Sequence, residues 1–424
     1  MAVQKILTLI LGGGRGTRLF PLTRVRSKPA VPLGGKYRLV DVPISNALHA
    51  GLDRIYVLTQ FNSASLHRHI RSTYSLGHLS DGFVEIQAAS QTLGESTDWY
   101  EGTADAVRKT LERLDDWAAE RVLILSGDQL YRMDFREVLA QHREREAEVT
   151  VAGNLIERTA FSGLGIMQIE PGGRIAGFVE KPDRIEELAG FEVPTELYPE
   201  GSTPEVKPWA ASMGIYVWEL QALREALDAN PGTTDFGHEI IPAAIGKRNA
   251  FAYLFDGYWE DIGTIGSYYE ASLALAEPDP PFKFKHRDAQ IYTHPRYLPP
   301  VRIGNARVQD TLLADGCGLH ECTVEHSIIG VRSIIRSACE IRDTVMMGAD
   351  FYPNERPGDP PLGIGEGSRI ERAIIDKNAR LGRRVVLQGR SGAEDTEGEG
   401  YYVRDGIVVI PKGVALPDGT EIIA

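Results

Sequence analysis

Four glycines, Gly12, Gly13, Gly14 and Gly16, close an apolar run, and Arg15, Arg18 and Lys28 follow within fourteen residues in "LILGGGRGTRLFPLTRVRSKPAVPLGG". Backbone amides in such a turn can point at an anion. Arginine adds bidentate phosphate contacts and lysine a point charge. The chemistry suggested is phosphate binding. Two familiar phosphate loops are excluded by spacing. GxGxxG needs glycine at Thr17, and GxxxxGK[ST] ending at Gly35-Lys36 needs glycine at Ala30. A glycine-rich loop alone reads equally well as a tight turn. The three cations set this one apart.

Other charged residues sit where chemistry is possible. Asp128 in "LILSGDQLY" lies just past an apolar run, at the edge where open α/β sheets bind ligands. Taken alone it serves equally as a turn residue. Lys181 in "GFVEKP" is followed by Pro182, which ends a strand and fixes the turn; the bland alternative is a solvated surface lysine. The ten histidines form no HxxxH or His–Asp cluster of a catalytic kind.

The first two thirds of the chain supplies elements to position these groups. Ile6–Leu11, Ile55–Thr59, Val122–Ser126 and Val149–Leu155 read as strands. In "TADAVRKTLERLDDWAAE", Ala104, Val107, Leu111, Leu114 and Ala118 recur at helical spacing. "DFREVLAQHRERE" reads as a helix with Asp134 as N-cap. Alternating strands and helices imply a mostly parallel sheet covered on both faces.

Near Glu277 the texture changes. "EPDPPFKFKHRD" and "THPRYLPP" are too proline-rich for a helix or sheet interior. Beyond them an apolar residue recurs every six positions: Cys317, Thr323, Ile329, Ile335, Ile341 and Met347, then Ile375, Leu381 and Leu387, then Ile410, Leu416 and Ile422. Short rungs with one inward residue per six are the signature of a parallel β-helix. Cys317, Cys322 and Cys339 fall in or beside these columns and read as small core residues with reduced thiols. The organisation expected is an α/β region over 1–277, a Pro-rich linker over 278–300 and a β-helix over 301–424.

With 424 residues and a formal charge of -13, the chain has room for two cores and argues against a nucleic-acid surface. The run Ile6–Leu11 is too short for a signal peptide, and nowhere are there eighteen consecutive apolar residues. A cytoplasmic protein without a membrane span is the expectation.

The segment "GGRGTRLFPLTRVRSKPAVP" reproduces the fingerprint GGxGTRLxPLTxxxxKPxxP of the sugar-nucleotide pyrophosphorylases. "GGKYRLVDVPISNA", "WYEGTADAV", "SGDQLYRMDF", "ASMGIYVWE", "YLFDGYWEDIGTIGSYYEASLAL" and "DTVMMGADFY" narrow the match. Over nearly its whole length the chain resembles the ADP-glucose pyrophosphorylases, nearest their cyanobacterial and plant branch. That resemblance implies a Rossmann-like nucleotidyltransferase domain with a mixed, mostly parallel sheet, followed by a left-handed β-helix. It also implies the reaction of ATP with glucose 1-phosphate to give ADP-glucose and pyrophosphate.

The family's residue roles carry over position by position. Arg15, Arg18, Lys28 and Asp128 are the implied catalytic set, and Asp128 and Asp261 the implied Mg²⁺ ligands, with Glu260 adjacent as an impostor. Gly12, Gly13, Gly14, Gly16 and Thr17 match the nucleotide loop; Gln60, Tyr100 and Gly102 match positions near adenine. There Gly102 would admit the base close to the backbone, while Tyr100 reads equally as packing. Gly165, Glu180, Lys181, Ser212 and Asp235 match the glucose 1-phosphate side; on sequence grounds Ser212 reads equally as strand edge and Asp235 as helix N-cap.

Arg24, Arg26, Lys377 and Lys412 match a regulatory region that binds phosphorylated metabolites. Arg24, Ser27 and Gln129 depart from the usual pattern, and Arg24 puts the effector preference in doubt. A homotetramer is implied. The rivals are a pyrophosphorylase using UTP or dTTP, and a non-catalytic regulatory subunit. The charged set being present disfavours the latter.

Overall fold

The computed structural model describes residues 5–12, 16–77, 81–88, 100–113, 119–199, 201–286 and 289–424. The chain forms two compact units, and the division does not follow chain order. One comprises 1–14, 42–63 and 70–259; the other comprises 15–41, 64–69 and 260–424.

In the first unit a sheet of nine described strands is built from β1 (Ile6–Leu11), β2 (Arg54–Thr59), β3 (Phe83–Ala88), β4 (Arg121–Ser126), β5 (Val149–Ile156), β6 (Gly165–Ile169), β7 (Ile175–Glu180), β8 (Trp209–Glu219) and β9 (Ala250–Phe255). The order runs β7-β6-β8-β4-β1-β2-β3, with β5 pairing both β8 and β9. β3, β2, β1 and β4 are parallel. β8 runs antiparallel to β4, β5 and β6, so the sheet is mixed. β1 is apolar throughout except Thr8 and almost wholly buried, as a strand covered on both faces must be.

The helix Thr103–Arg113 buries Ala104, Val107 and Leu111, as its spacing predicts; Leu114 and Ala118 lie outside the described residues. The helix Phe135–Glu144 is capped by Asp134, whose Oδ1 accepts the Arg136 N–H at 3.0 Å. Losing such a cap costs about 1 kcal/mol.

The second unit is dominated by stacked coils. Leu319, Ile335, Ile364, Leu381 and Leu416 stand in one ladder. Val324, Ile341, Ile370, Leu387 and Ile422 form a second, and Ile329, Met346, Ile375 and Ile410 a third. In the regular coils adjacent partners are sixteen or seventeen residues apart, not eighteen; across the two longer coils they are 29 and 35 apart. A strict six-residue column therefore slips. Thr323, expected inward, is half-buried, and Val324 takes the core position. At one corner Asp310, His326, Asp343 and Arg372 stack with φ of 43°, 42°, 44° and 50°. Non-glycine residues there cost roughly 1–2 kcal/mol each, which the ladders on either side must offset. Two excursions, near 347–362 and 389–406, lengthen individual coils.

Cys317, Cys322 and Cys339 are free and buried in this core. Burial pushes the Cys317 thiol up to about 11, so it stays protonated. The stretch expected as a linker is structured: Lys285–His286 pairs with Ala289–Gln290, and the Phe284 ring stacks on Tyr37 at 4.0 Å. The N-terminal segment 15–41 joins this unit through named bonds. Tyr268 Oη donates to Pro32 O at 2.7 Å, and Val331 N–H to Gly35 O at 3.1 Å. Among the described residues, no helix is long and apolar enough to cross a membrane.

Candidate active site

In the first unit the carboxyl ends of three neighbouring parallel strands define one edge. Gly12 N–H bonds Leu58 O at 2.8 Å, and Gly127 N–H bonds Leu11 O at 3.0 Å. Gly12, Gln60 and Asp128 therefore follow β1, β2 and β4 along the edge where open α/β sheets take ligands. Ser126 Oγ donates to Asp128 Oδ1. Strand β8 bulges between Ser212 and Ile215, with Gly214 at φ 66°. A Cβ on Gly214 would lie 3.6 Å from Ser126 Cβ. The bulge thus brings the Ser212 segment against the strand end that carries Asp128.

A second polar group converges beside it. A Cβ placed on Gly237 would lie 3.6 Å from Glu180 Oε2, 3.7 Å from Asp235 Oδ1 and 3.8 Å from Tyr216 Oη. Two carboxylates and a phenol therefore surround one small space. Gly165 permits it, because a Cβ there would sit 2.5 Å from Glu180 Oε2. Asp235 also caps the helical turn Phe236–Ile240, accepting His238 N–H at 2.8 Å, which is the capping reading.

Burial pushes the Tyr216 hydroxyl up to about 12, with a bond from Ser212 acting the other way. Tyr216 is thus a fixed protonated hydroxyl beside two carboxylates. Sequence reasoning missed it inside the apolar run "GIYVWE"; its even spacing from Ser212 on one strand was the available signal.

Lys181 follows directly. Its Nζ is 3.0 Å from Glu180 Oε1, and its side chain is 59% exposed. Its φ is 50°, held by its N–H bonding Leu164 O at 2.9 Å. The turn fixes the backbone and leaves the ammonium open to solvent.

Gly102 has a close neighbour within the protein. A Cβ there would lie 2.2 Å from Thr234 O. The close approach that demands glycine is by the segment leading into Asp235. Phe236 N–H bonds Thr103 Oγ1 at 2.8 Å and fixes the same junction. Tyr100 is buried in the apolar core with Ala104 and Val107, which is the packing alternative.

In the second unit, Gly16 adopts φ 61° and its carbonyl accepts Thr23 Oγ1 at 2.8 Å. The bond folds Thr17–Leu19 into one 3₁₀ turn that carries Arg18. Lys28 Nζ lies 3.7 Å from Asp261 Oδ1. A Cβ on Gly263 would be 3.4 Å from Asp261 Oδ2 and 3.5 Å from Arg18 Nη2. Arg18, Lys28 and Asp261 therefore meet, although Asp261 is more than two hundred residues away in sequence. Burial, then Asp261, push the neighbouring Glu260 carboxyl up. Gly13, Gly14 and Arg15 lie outside the described residues.

Among the described residues, no group of three or more His, Cys, Asp or Glu is placed to hold a metal. Mg²⁺ typically needs only one or two carboxylates beside substrate phosphates and water. Asp128 and Asp261 are oxygen donors of that kind.

The four residues expected at an effector site differ in situation. Arg24 is exposed. Arg26 is buried, with its guanidinium bound to Asp376. Lys377 and Lys412 both contact Asp350. Burial lowers Lys377 to about 8, with Arg38 and Arg296 adding to the effect and Asp350 opposing it. Burial pushes the Asp350 carboxyl up, but the two lysines outweigh it and hold the group well below the usual carboxylate range.

Comparison with protein families gives two matches. Residues 7–278 match the nucleotidyl transferase model, and residues 296–421 match the GLGC left-handed parallel β-helix domain.

Proposed function

The chain belongs to the ADP-glucose pyrophosphorylase family of nucleotidyltransferases, the glucose-1-phosphate adenylyltransferases, and from that premise we propose that it makes ADP-glucose for glucan synthesis as a catalytic subunit. A phosphate oxygen of glucose 1-phosphate attacks the α-phosphorus of ATP. The bond to the bridging oxygen breaks, and pyrophosphate leaves with its electron pair. Catalysis of this kind is chiefly positioning and charge neutralisation.

The observation that supports the reading most directly is the meeting of Arg18, Lys28 and Asp261 after the glycine loop. Arg18 and Lys28, with Arg15, offset the charge on the nucleotide phosphates. Gly12, Gly16 and Thr17 frame the loop, and Gln60 follows the adjoining strand. Lys181 holds the sugar phosphate. Glu180, Asp235, Ser212 and Tyr216 meet the glucose hydroxyls. Asp128 and Asp261 are each proposed as ligands of Mg²⁺, which when bound neutralises charge on the phosphate oxygens.

Regulation belongs to the same proposal. Lys377 and Lys412 take a small phosphorylated metabolite, with Arg24 influencing which one. Asp376 is next to Lys377 and holds Arg26, two residues before Lys28. The effector lysines and a substrate cation thus share one short stretch of bonded structure. Arg26 acts here as a strut, because its guanidinium is already engaged. A homotetramer in the cytoplasm is the proposed setting.

The discriminating experiment is a nucleotide panel. ATP, UTP and dTTP are offered with glucose 1-phosphate and Mg²⁺, and pyrophosphate release is followed. ATP should be preferred; a preference for UTP or dTTP would overturn the nucleotide assignment, and no release with any of them would favour a non-catalytic subunit.

A further inference from the structure

Two ammonium groups converge on one carboxylate in the second unit. Lys377 Nζ contacts Asp350 Oδ1, and Lys412 Nζ lies 3.4 Å from Asp350 Oδ2. Asn378 completes the clamp: its Nδ2 donates to Asp350 Oδ2 at 2.9 Å, and its Oδ1 accepts the Asp350 N–H at 2.7 Å. The Lys377 side chain is 9% exposed and that of Asp350 is 41% exposed. The lysine is thus fixed in the wall, while the carboxylate has solvent beside it.

Arg38 and Arg296 act electrostatically on Lys377 from elsewhere in the unit. Arg38 donates to Ala30 O and to Ser65 Oγ, but its Nε is buried and finds no hydrogen-bond partner among the described residues. A buried donor without a partner is unfavourable, and a bound acceptor would relieve it. Asp41 answers part of this charge electrostatically; it also accepts the Arg38 backbone N–H at 2.9 Å and pairs with His69.

We infer that Asp350 is a resident counter-ion on the lysine pair, so that a phosphorylated effector binds by displacing a carboxylate of the protein itself. The inference rests on the effector role proposed above for Lys377 and Lys412. A phosphate monoester carries about -1.5 to -2 charge and three acceptor oxygens, against one charge and two oxygens on Asp350. It can satisfy both lysines and still present an oxygen to a further donor. Asp350 competes from a tether, at a high local concentration, which lowers the apparent affinity of the free anion. It also keeps two neighbouring ammonium groups compensated when no effector is present. It stands after Gly348 and Ala349, at the start of an excursion between coils, with its side chain 41% exposed.

Calorimetric titration of the full chain with inorganic phosphate tests this. Asp350→Asn keeps the shape and one acceptor oxygen, removes the charge and gives up the other acceptor. It should bind phosphate about tenfold more tightly than wild type, as expected from removing one like charge at close range. Asp350→Glu keeps the charge and should stay within about threefold of wild type. Unchanged or weaker binding by a folded Asp350→Asn protein overturns the inference and makes Asp350 a support for the lysines. If Asp350→Asn does not fold by circular dichroism, Asp350→Ser replaces it under the same criterion; failure of both to fold counts against displacement. A Lys377→Ala, Lys412→Ala double variant separates the two levels. If it binds phosphate like wild type, the effector reading itself fails; if it loses binding while Asp350→Asn gains nothing, only the displacement inference fails.

Discussion

Arg26 and Asp376 are 350 positions apart in the chain and form a two-pronged ion pair, with Nη1–Oδ2 at 3.0 Å and Nη2–Oδ1 at 2.8 Å. Their side chains are 2% and 1% exposed. The Asp376 Oδ1 also accepts the Lys377 N–H. Removing one partner leaves a buried charge without compensation, which costs about 3–5 kcal/mol. Arg26→Ala should lower stability by that amount in chemical denaturation, and should also blunt the response to effector anions. Denaturation within about 1 kcal/mol of wild type would show the pair to be incidental.

Asp128→Asn should leave the fold intact and abolish turnover. Losing a metal ligand at a phosphoryl centre costs several kcal/mol, or roughly a thousandfold or more in rate. Steady-state assay across a Mg²⁺ titration checks this, and near-normal Mg²⁺-dependent turnover contradicts it.

Lys181→Ala should act on the sugar phosphate. A charge-assisted contact is worth about 1.5–3 kcal/mol, so KM for glucose 1-phosphate should rise roughly ten- to 150-fold while kcat barely moves. A rise confined to KM for ATP reassigns the residue.

Gly102→Ala places a methyl where Thr234 O already stands, 2.2 Å away. The backbone leading into Asp235 must shift, so the expected signature is a higher KM for glucose 1-phosphate by about tenfold, with a stability loss of about 1–3 kcal/mol. A selective loss of ATP affinity, with glucose 1-phosphate unaffected, would instead point to close approach by the base.

The pH dependence of effector binding follows from Lys377. Its folded value is about 8, below the ordinary lysine value of 10.5. Its charge is therefore present below about 8 in the folded protein and lost above it. The unfolded chain then binds more protons between about 8 and 10.5, so this group contributes stability that grows as pH rises through that window. Phosphate affinity should fall over the same rise, because one ammonium is discharged. Titrations at pH 7.5 and 9.5 check this; an unchanged affinity would mean that Lys377 does not carry the anion.

Much of this was legible in the sequence, for identifiable reasons. Strand Ile6–Leu11 is a continuous apolar run stopped by glycines, so its bounds and its phosphate-loop context were readable together. The helix after Asp134 announced itself by its cap. The coils showed as a six-residue period, but the slip at Thr323 did not, because coil length is set by ladder register between distant segments. Tyr216 was hidden by its apolar neighbours, and only the convergence on Gly237 distinguishes it from core. Asp350 gave no signal, because two lysines from 27 and 62 positions further on select it. Arg26 lies in a basic loop, and nothing in that loop marks it off from its neighbours, because its partner Asp376 is 350 positions away.

The most direct test of the central claim is product identity. Purified protein is incubated with ATP, glucose 1-phosphate and Mg²⁺, and the products are identified by mass and quantified. The account predicts ADP-glucose and pyrophosphate in equal amounts, lost when Mg²⁺ is chelated or when Lys28 is replaced by alanine. Pyrophosphate without ADP-glucose, or neither product from a folded protein over a range of phosphate and phosphorylated three-carbon acids, would contradict it.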